Sequence, residues 1–216
     1  MFKSLRKVSV ETLISFSVLV ALSVFLIGGA GIPLFINNAL AQVSTTTSQT
    51  INLTVNQTIT LTLSTSTVSL GSLTPGSAVS ATSSATVATN SANGWNLKVN
   101  RNSATSTLAS STITFPDATA WNGSNGTTSP GATLAFKVAN TGTDAALYSS
   151  TNWGASDTDG VAKYAGFPTS ATNVVSTSSY IGTSQVVMLK IRADAPATQQ
   201  ATSYTGTVTI TAITNP

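Results

Sequence analysis

The 216-residue chain has no cysteine and no histidine, and only 7% of its residues are charged, against about 25% in an ordinary soluble domain. Without cysteine there is no disulfide framework, no thiolate nucleophile and no thiolate-held zinc or iron–sulfur centre. Without histidine there is no Ser-His-Asp triad and no imidazole base or ligand. Glu11 is the only glutamate. The formal charge of +3 is concentrated at Lys3, Arg6 and Lys7. From Gln42 onward six bases face five acids (Asp117, Asp144, Asp157, Asp159 and Asp194). Nucleic-acid binding requires several cations on one face. The near-neutral body predicts no nucleic-acid partner.

The N-terminus carries the long apolar run. Met1 to Lys7 is basic, Leu13 to Ile27 is apolar apart from three serines, and Gly28 to Pro33 interrupts any helix. Ala39-Leu40-Ala41 before Gln42 fits the small-residue pattern read by signal peptidase. Residues 1–41 are therefore expected to be a cleaved export signal. Leu13 to Ile36 is also long enough for a retained membrane anchor, since about 20 apolar residues span a bilayer. Val8-Ser-Val-Glu11 ahead of an apolar stretch resembles a type IV pilin N-terminus, with Lys7 where such pilins carry glycine. Each reading exports the body and leaves the membrane only this segment as a partner. The expected location is the bacterial cell surface or the extracellular space.

The remainder is hydroxyl-rich: 63 of the 175 residues from Gln42 are Ser or Thr. Thr favours strands and Ser favours turns. Apolar residues recur at every second position in Ile51–Val55, Ile59–Leu63, Trp95–Val99, Leu134–Val138, Val187–Ile191 and Val208–Ile210, as on half-buried strands. Shorter candidate strands lie at Val68–Leu70, Ser84–Thr89 and Thr112–Phe115. Turn dipeptides such as Asn93-Gly94, Pro130-Gly131, Thr141-Gly142 and Asp159-Gly160 separate the runs. The prediction is all-β: a two-sheet antiparallel sandwich of Ig-like or jelly-roll Greek-key type after an N-terminal hydrophobic helix. Residues 42–50 read as a flexible polar arm and 51–216 as one domain. Its expected core includes Trp95, Phe115, Phe136, Leu189 and Ile210. Ala139 to Thr183 alternates poorly and reads as loops with one or two irregular strands.

Three segments carry a family likeness. They are Val68-Ser-Leu-Gly-Ser-Leu-Thr-Pro-Gly76, Ala85-Thr-Val-Ala-Thr-Asn-Ser-Ala-Asn-Gly-Trp-Asn-Leu-Lys-Val99, and the closing Tyr204-Thr-Gly-Thr-Val-Thr-Ile-Thr-Ala212. Together they resemble bacterial surface and fimbrial β-sandwich proteins of the spore-coat-U/Csu-type pilin and WxL-like kinds. About forty residues match, and the middle of the chain is skipped. There is no cysteine pair. The resemblance implies a secreted or surface-exposed structural or adhesive role.

The candidate sites are few. Asp157-Thr158-Asp159-Gly160 offers two carboxylates to Ca²⁺, the one candidate cofactor, but lacks the further ligands of a complete loop and reads first as a polar turn. The scattered Asp residues predict no enzyme, a carboxylate-based hydrolase being the residual alternative. Trp121, Trp153, Tyr148 and Tyr164 stand in Gly/Asn/Ser-rich segments, where flat rings could bind a glycan or simply tuck onto the sandwich edge. Lys137 and Lys190 sit mid-strand and read as outward-facing, with no acid singled out for an internal amide bond. Ile51, Leu53, Val55, Ile59, Leu61 and Leu63 form a clean alternating face behind the arm. Such a segment completes its own sheet or adds to a neighbour's as a donor strand. The functional expectation is an exported structural protein, a filament or coat subunit assembling with itself or other surface proteins through β-strand contacts. The alternative is a secreted glycan-binding module.

Overall fold

The computed structural model describes residues 45–124 and 126–216. The export-signal or anchor segment, with Ala39, Ala41, Gln42 and the expected hydrophobic helix, lies outside them, as does Asn125. Among the described residues no helix is long and apolar enough to cross a membrane.

The alternating runs form two antiparallel sheets. One contains β1 (Ile59–Leu63), β2 (Val79–Thr89), β8 (Gln185–Ala193) and β6 (Leu134–Val138), paired in that order. The other contains β7 (Thr172–Ser176), β3 (Trp95–Arg101) and β9 (Val208–Thr214), again in order. A two-stranded ribbon joins β4 (Ala109–Ser110) to β5 (Ile113–Thr114). The inward residues of both sheets meet in one core. Ala85, Val87, Leu134, Phe136, Val138, Val187 and Leu189 come from the first sheet. Trp95, Leu97, Val99, Val174 and Val175 come from the second. Full burial of each large aliphatic side chain is worth about 1.5–3 kcal/mol. The Trp95 indole N–H donates to Gln185 Oε1 at 3.0 Å, a buried polar link from β3 to β8. Ile210 packs against the core from β9 and is only partly buried.

Turn chemistry sets the strand ends. Gly94 closes the β2–β3 connection at φ 77°, where a Cβ would lie 2.4 Å from Thr177 Oγ1, so glycine is required on both counts. A bulge on β7 inserts Val174 between the partners of Leu97 and Lys98, which buries two successive valines and breaks the period.

Two expectations change and a third gains detail. Ile51–Val55 belongs to no strand, and its apolar side chains are exposed. Val68–Leu70 is irregular and lies within a strap that runs from Ser64 to the start of β2. The stretch 139–183 contains, besides β7, a 3₁₀ turn (Ala145–Leu147) and a one-turn helix α1 (Ser150–Trp153). Ser149 caps α1 by accepting from the Asn152 N–H, and Gly154 ends it at φ 85°. The compact unit containing both sheets begins at Leu53.

Candidate functional site

The loop aromatics are core residues. Trp121 and Trp153 stack at 4.3 Å, Trp153 lies 5.6 Å from Phe136, and Phe136 stacks on Phe167 at 4.3 Å. The Trp121 indole donates to Asn173 O at 2.7 Å. Trp121, Trp153 and Tyr164 are 3%, 1% and 1% exposed. Tyr148 is half-buried, its hydroxyl bonded to Gly154 O. Of the two readings for Trp121, Trp153, Tyr148 and Tyr164, the burial of these rings fits aromatics tucked into the fold and not an exposed sugar platform. Indole and phenol faces this large gain more by leaving water than loop polarity suggests, and the rings fold under the loops.

Lys137 also departs from expectation. Alternation places it on the outer face of β6, yet it is fully buried. The segment 164–166 pairs edge-on with β6, Phe136 and Ala165 exchanging backbone bonds at 2.8 and 2.9 Å, while Ala162 and Tyr164 pack on Ala135 on the outer face. The ammonium is met by Asp157 Oδ1 and Ser156 O, both at 2.8 Å, and by the Tyr148 hydroxyl at 3.5 Å. The same carboxylate accepts the Asn140 and Thr141 N–H groups, each at 2.8 Å. Asp159 accepts from Tyr164 Oη at 3.1 Å and from Arg192 Nε at 3.2 Å. The expected Ca²⁺ pair therefore serves as two separate anchors. Asp157 holds Lys137 and the backbone at Asn140–Thr141, and Asp159 holds Arg192. Lys190, expected to face outward, reaches back to Asp157 O at 2.8 Å. Among the described residues no cluster of three acidic, His or Cys side chains could hold a metal.

Burial pushes the Asp157 carboxyl up, but hydrogen bonds from Lys137, Thr141 and Asn140 and the Lys137 charge outweigh it and hold it at about 2. Desolvation lowers the Lys137 ammonium, offset in part by Asp157. Burial and Asp159 raise Tyr164. Asp159 is lowered, because its bonds from Arg192 and Tyr164 overcome its desolvation. For Asp157 the folded value lies below the ordinary 3.8 of the unfolded chain. Its stabilisation is present above pH 4 and disappears as the pH falls through 4 towards 2. The expected loss is about 2 kcal/mol, at 1.36 kcal/mol per unit. Urea midpoints at pH 6 and pH 2 should show this fall, and the drop should shrink in Asp157→Asn.

Two kinds of feature suit contact, an exposed apolar segment and unpaired strand edges. Ile51, Leu53 and Val55 are 85%, 86% and 74% exposed and sit at spacing two. The chain after them is held extended. Asn90 Nδ2 donates to Asn56 O at 2.9 Å, Thr58 N donates to Asn90 Oδ1 at 2.7 Å, and Gln57 Nε2 donates to Ser91 Oγ at 3.1 Å. Then β1 begins, pairing Ile59–Leu63 with Thr89–Ala85. Of the six expected donor-strand residues, Ile59, Leu61 and Leu63 complete their own sheet, whereas Ile51, Leu53 and Val55 remain outside it. Beyond Leu63 the ladder stops, so Val79–Ser83 of β2 has no strand on that side among the described residues. On the other sheet β9 is an edge strand of seven residues without a charge. Natural edges are usually guarded by charge, proline or a bulge. Between these edges lies a groove of about 230 Å³, lined by Leu63, Leu189, Ile191, Val208 and Ile210 among others.

No family model, curated protein or solved structure matches this chain.

Neither the burial of Lys137 nor the groove shows in the sequence pattern. Residue period identifies the face of a strand, but a loop crossing that face or a ladder that stops short leaves no local pattern.

Proposed function

We propose that this chain is an exported structural subunit that associates with itself through β-strand contacts in a surface filament or coat. The observation that carries the reading is the exposed alternating triplet Ile51, Leu53 and Val55, which precedes β1 in the chain, together with the uncharged edge strand β9. A strand added to such an edge gains backbone hydrogen bonds, and its alternate side chains set the register. The likeness of the Val68–Gly76, Ala85–Val99 and Tyr204–Ala212 segments to fimbrial and coat sandwiches supports the same role. The export signal belongs to this reading, since it delivers the subunit to the cell surface. Shape and contact, and not bond-making, are its purpose.

The test is sedimentation of the full chain, in one mild detergent throughout, beside the Ile51→Ser/Leu53→Ser/Val55→Ser variant. The wild type should sediment as oligomers and the variant as monomer. Wild-type monomers, or a variant that assembles equally well, would refute the reading.

A further inference from the structure

The groove between the two sheet edges is covered by the chain itself. The strap leaves β1 at Leu63, and Ser64 continues the ladder by one bond, its N–H to Ser84 O at 2.9 Å. Ser84 N returns a bond to Ser64 Oγ at 2.9 Å. Thr65 and Thr67 then bond only to each other. From Val68 to Leu73 no hydrogen bond reaches either sheet. The strap is tied down again at its far end, where Ser77 N bonds to Thr74 O at 2.9 Å and Gly76 N to Asp194 Oδ1 at 3.0 Å. Val68 and Leu70 line the groove, and a second cavity of about 620 Å³ extends under Leu70, Leu73 and Pro75. Between these ties, Val68 to Leu73 is held over the groove by apolar contact alone, which marks a segment that opens at low cost.

The strap and the exposed segment share a pattern. Val68 and Leu70 are two residues apart, as are Ile51, Leu53 and Val55. Position separates them. Asn56–Thr58 is bonded to Asn90 and Ser91 beside the Ile59 end of β1, whereas the groove opens at the Leu63 end. The four steps from Ile59 to Leu63 hold these ends about 13 Å apart. A donor at one end and an acceptor at the other describe a heterologous contact, which propagates as an open chain instead of closing a dimer.

Building on the self-association proposed above, we infer that the strap Thr65–Pro75 is an internal placeholder, displaced when Ile51–Val55 of a second copy enters the groove between β2 and β9. The strap keeps the isolated subunit soluble, and the incoming segment replaces its two-residue-spaced apolar side chains with three. It also supplies the backbone bonds that the strap leaves unmade along Val79–Ser83 or β9. A subunit whose acceptor is open only part of the time binds more weakly by that fraction.

Weakening the strap therefore strengthens assembly. In the full chain, Val68→Ser/Leu70→Ser is expected to raise the self-association constant by about tenfold or more. An unchanged or lower constant, with assembly still abolished by the Ile51→Ser/Leu53→Ser/Val55→Ser variant, overturns the placeholder and leaves the self-association reading standing. If the latter variant assembles normally, that reading itself fails. A second measurement leaves the strap intact. A synthetic peptide of residues 49–57 is added to the Ile51→Ser/Leu53→Ser/Val55→Ser chain, and thermolysin cleavage between Val68 and Leu73 is followed. Cleavage should accelerate several-fold with bound peptide. Unchanged or slower cleavage on peptide binding, or no binding at all, counts against displacement.

Discussion

Asp157→Ala should lower the unfolding free energy by about 3–5 kcal/mol, the usual cost of removing one partner from a buried ion pair. The size follows from what remains. The Lys137 side chain has no solvent exposure, and its ammonium would keep only Ser156 O and the distant Tyr148 hydroxyl. The Asn140 and Thr141 N–H groups would lose their acceptor at the same time. Because the Asp157 side chain is 20% exposed, water can reach part of the gap, and the lower end of the range is expected. Lys137→Met should cost less. It removes the charge that must be desolvated, keeps the volume, and leaves Asp157 with its two backbone donors. Urea denaturation of the three proteins at pH 7 gives the order: wild type, Lys137→Met, Asp157→Ala. Equal stability of Asp157→Ala and wild type would mean that the 139–166 segment is not held by this pair.

Trp153→Ala should cost about 3–5 kcal/mol, the range for truncating a buried aromatic. Trp153 lies between Trp121 and Phe136 and is 1% exposed. Its loss opens a cavity that a sheet residue on one side and a loop residue on the other cannot both move to fill. For a domain of this size each kcal/mol shifts the midpoint by about 2–4 °C, so thermal unfolding should drop by about 6–20 °C. Trp153→Phe, which keeps part of the stack, should lose less than half as much. Were the ring a sugar platform, its removal would leave stability nearly unchanged, and the midpoint separates the two roles.

Parts of this architecture were legible residue by residue. Trp95–Val99, Leu134–Val138 and Val187–Ile191 alternate, and each is a strand whose apolar face meets the core. Period two reports one thing only, that a segment has a face. It does not report a partner. Ile51–Val55 alternates as cleanly as Ile59–Leu63, yet only the second finds β2. At β7 the bulge buries Val174 and Val175 in succession, so a true strand lacks the expected alternation. Lys137 stands on the outer face, as its position in the pattern requires, and becomes buried because Tyr148, Ser156, Asp157 and Tyr164, all later in the chain, gather around its ammonium. The loop aromatics mislead for the same reason. Trp121 and Trp153 are surrounded in sequence by Gly, Asn and Ser and in space by each other and Phe136. Contacts between residues far apart in the chain decided the places of Lys137, Trp121 and Trp153.

The central claim, strand addition from the Ile51–Val55 segment of one copy onto the groove of the next, can be tested by cross-linking in a chain that has no native cysteine. One sample carries Leu53→Cys and a second carries Val208→Cys, which lines the groove on β9. A third carries Thr172→Cys on β7, the opposite edge of the same sheet, as the control. Mixed under mild oxidation, the Leu53→Cys and Val208→Cys chains are predicted to form disulfide-linked heterodimers far above the level seen with Thr172→Cys. Equal yields from both pairings would contradict the account.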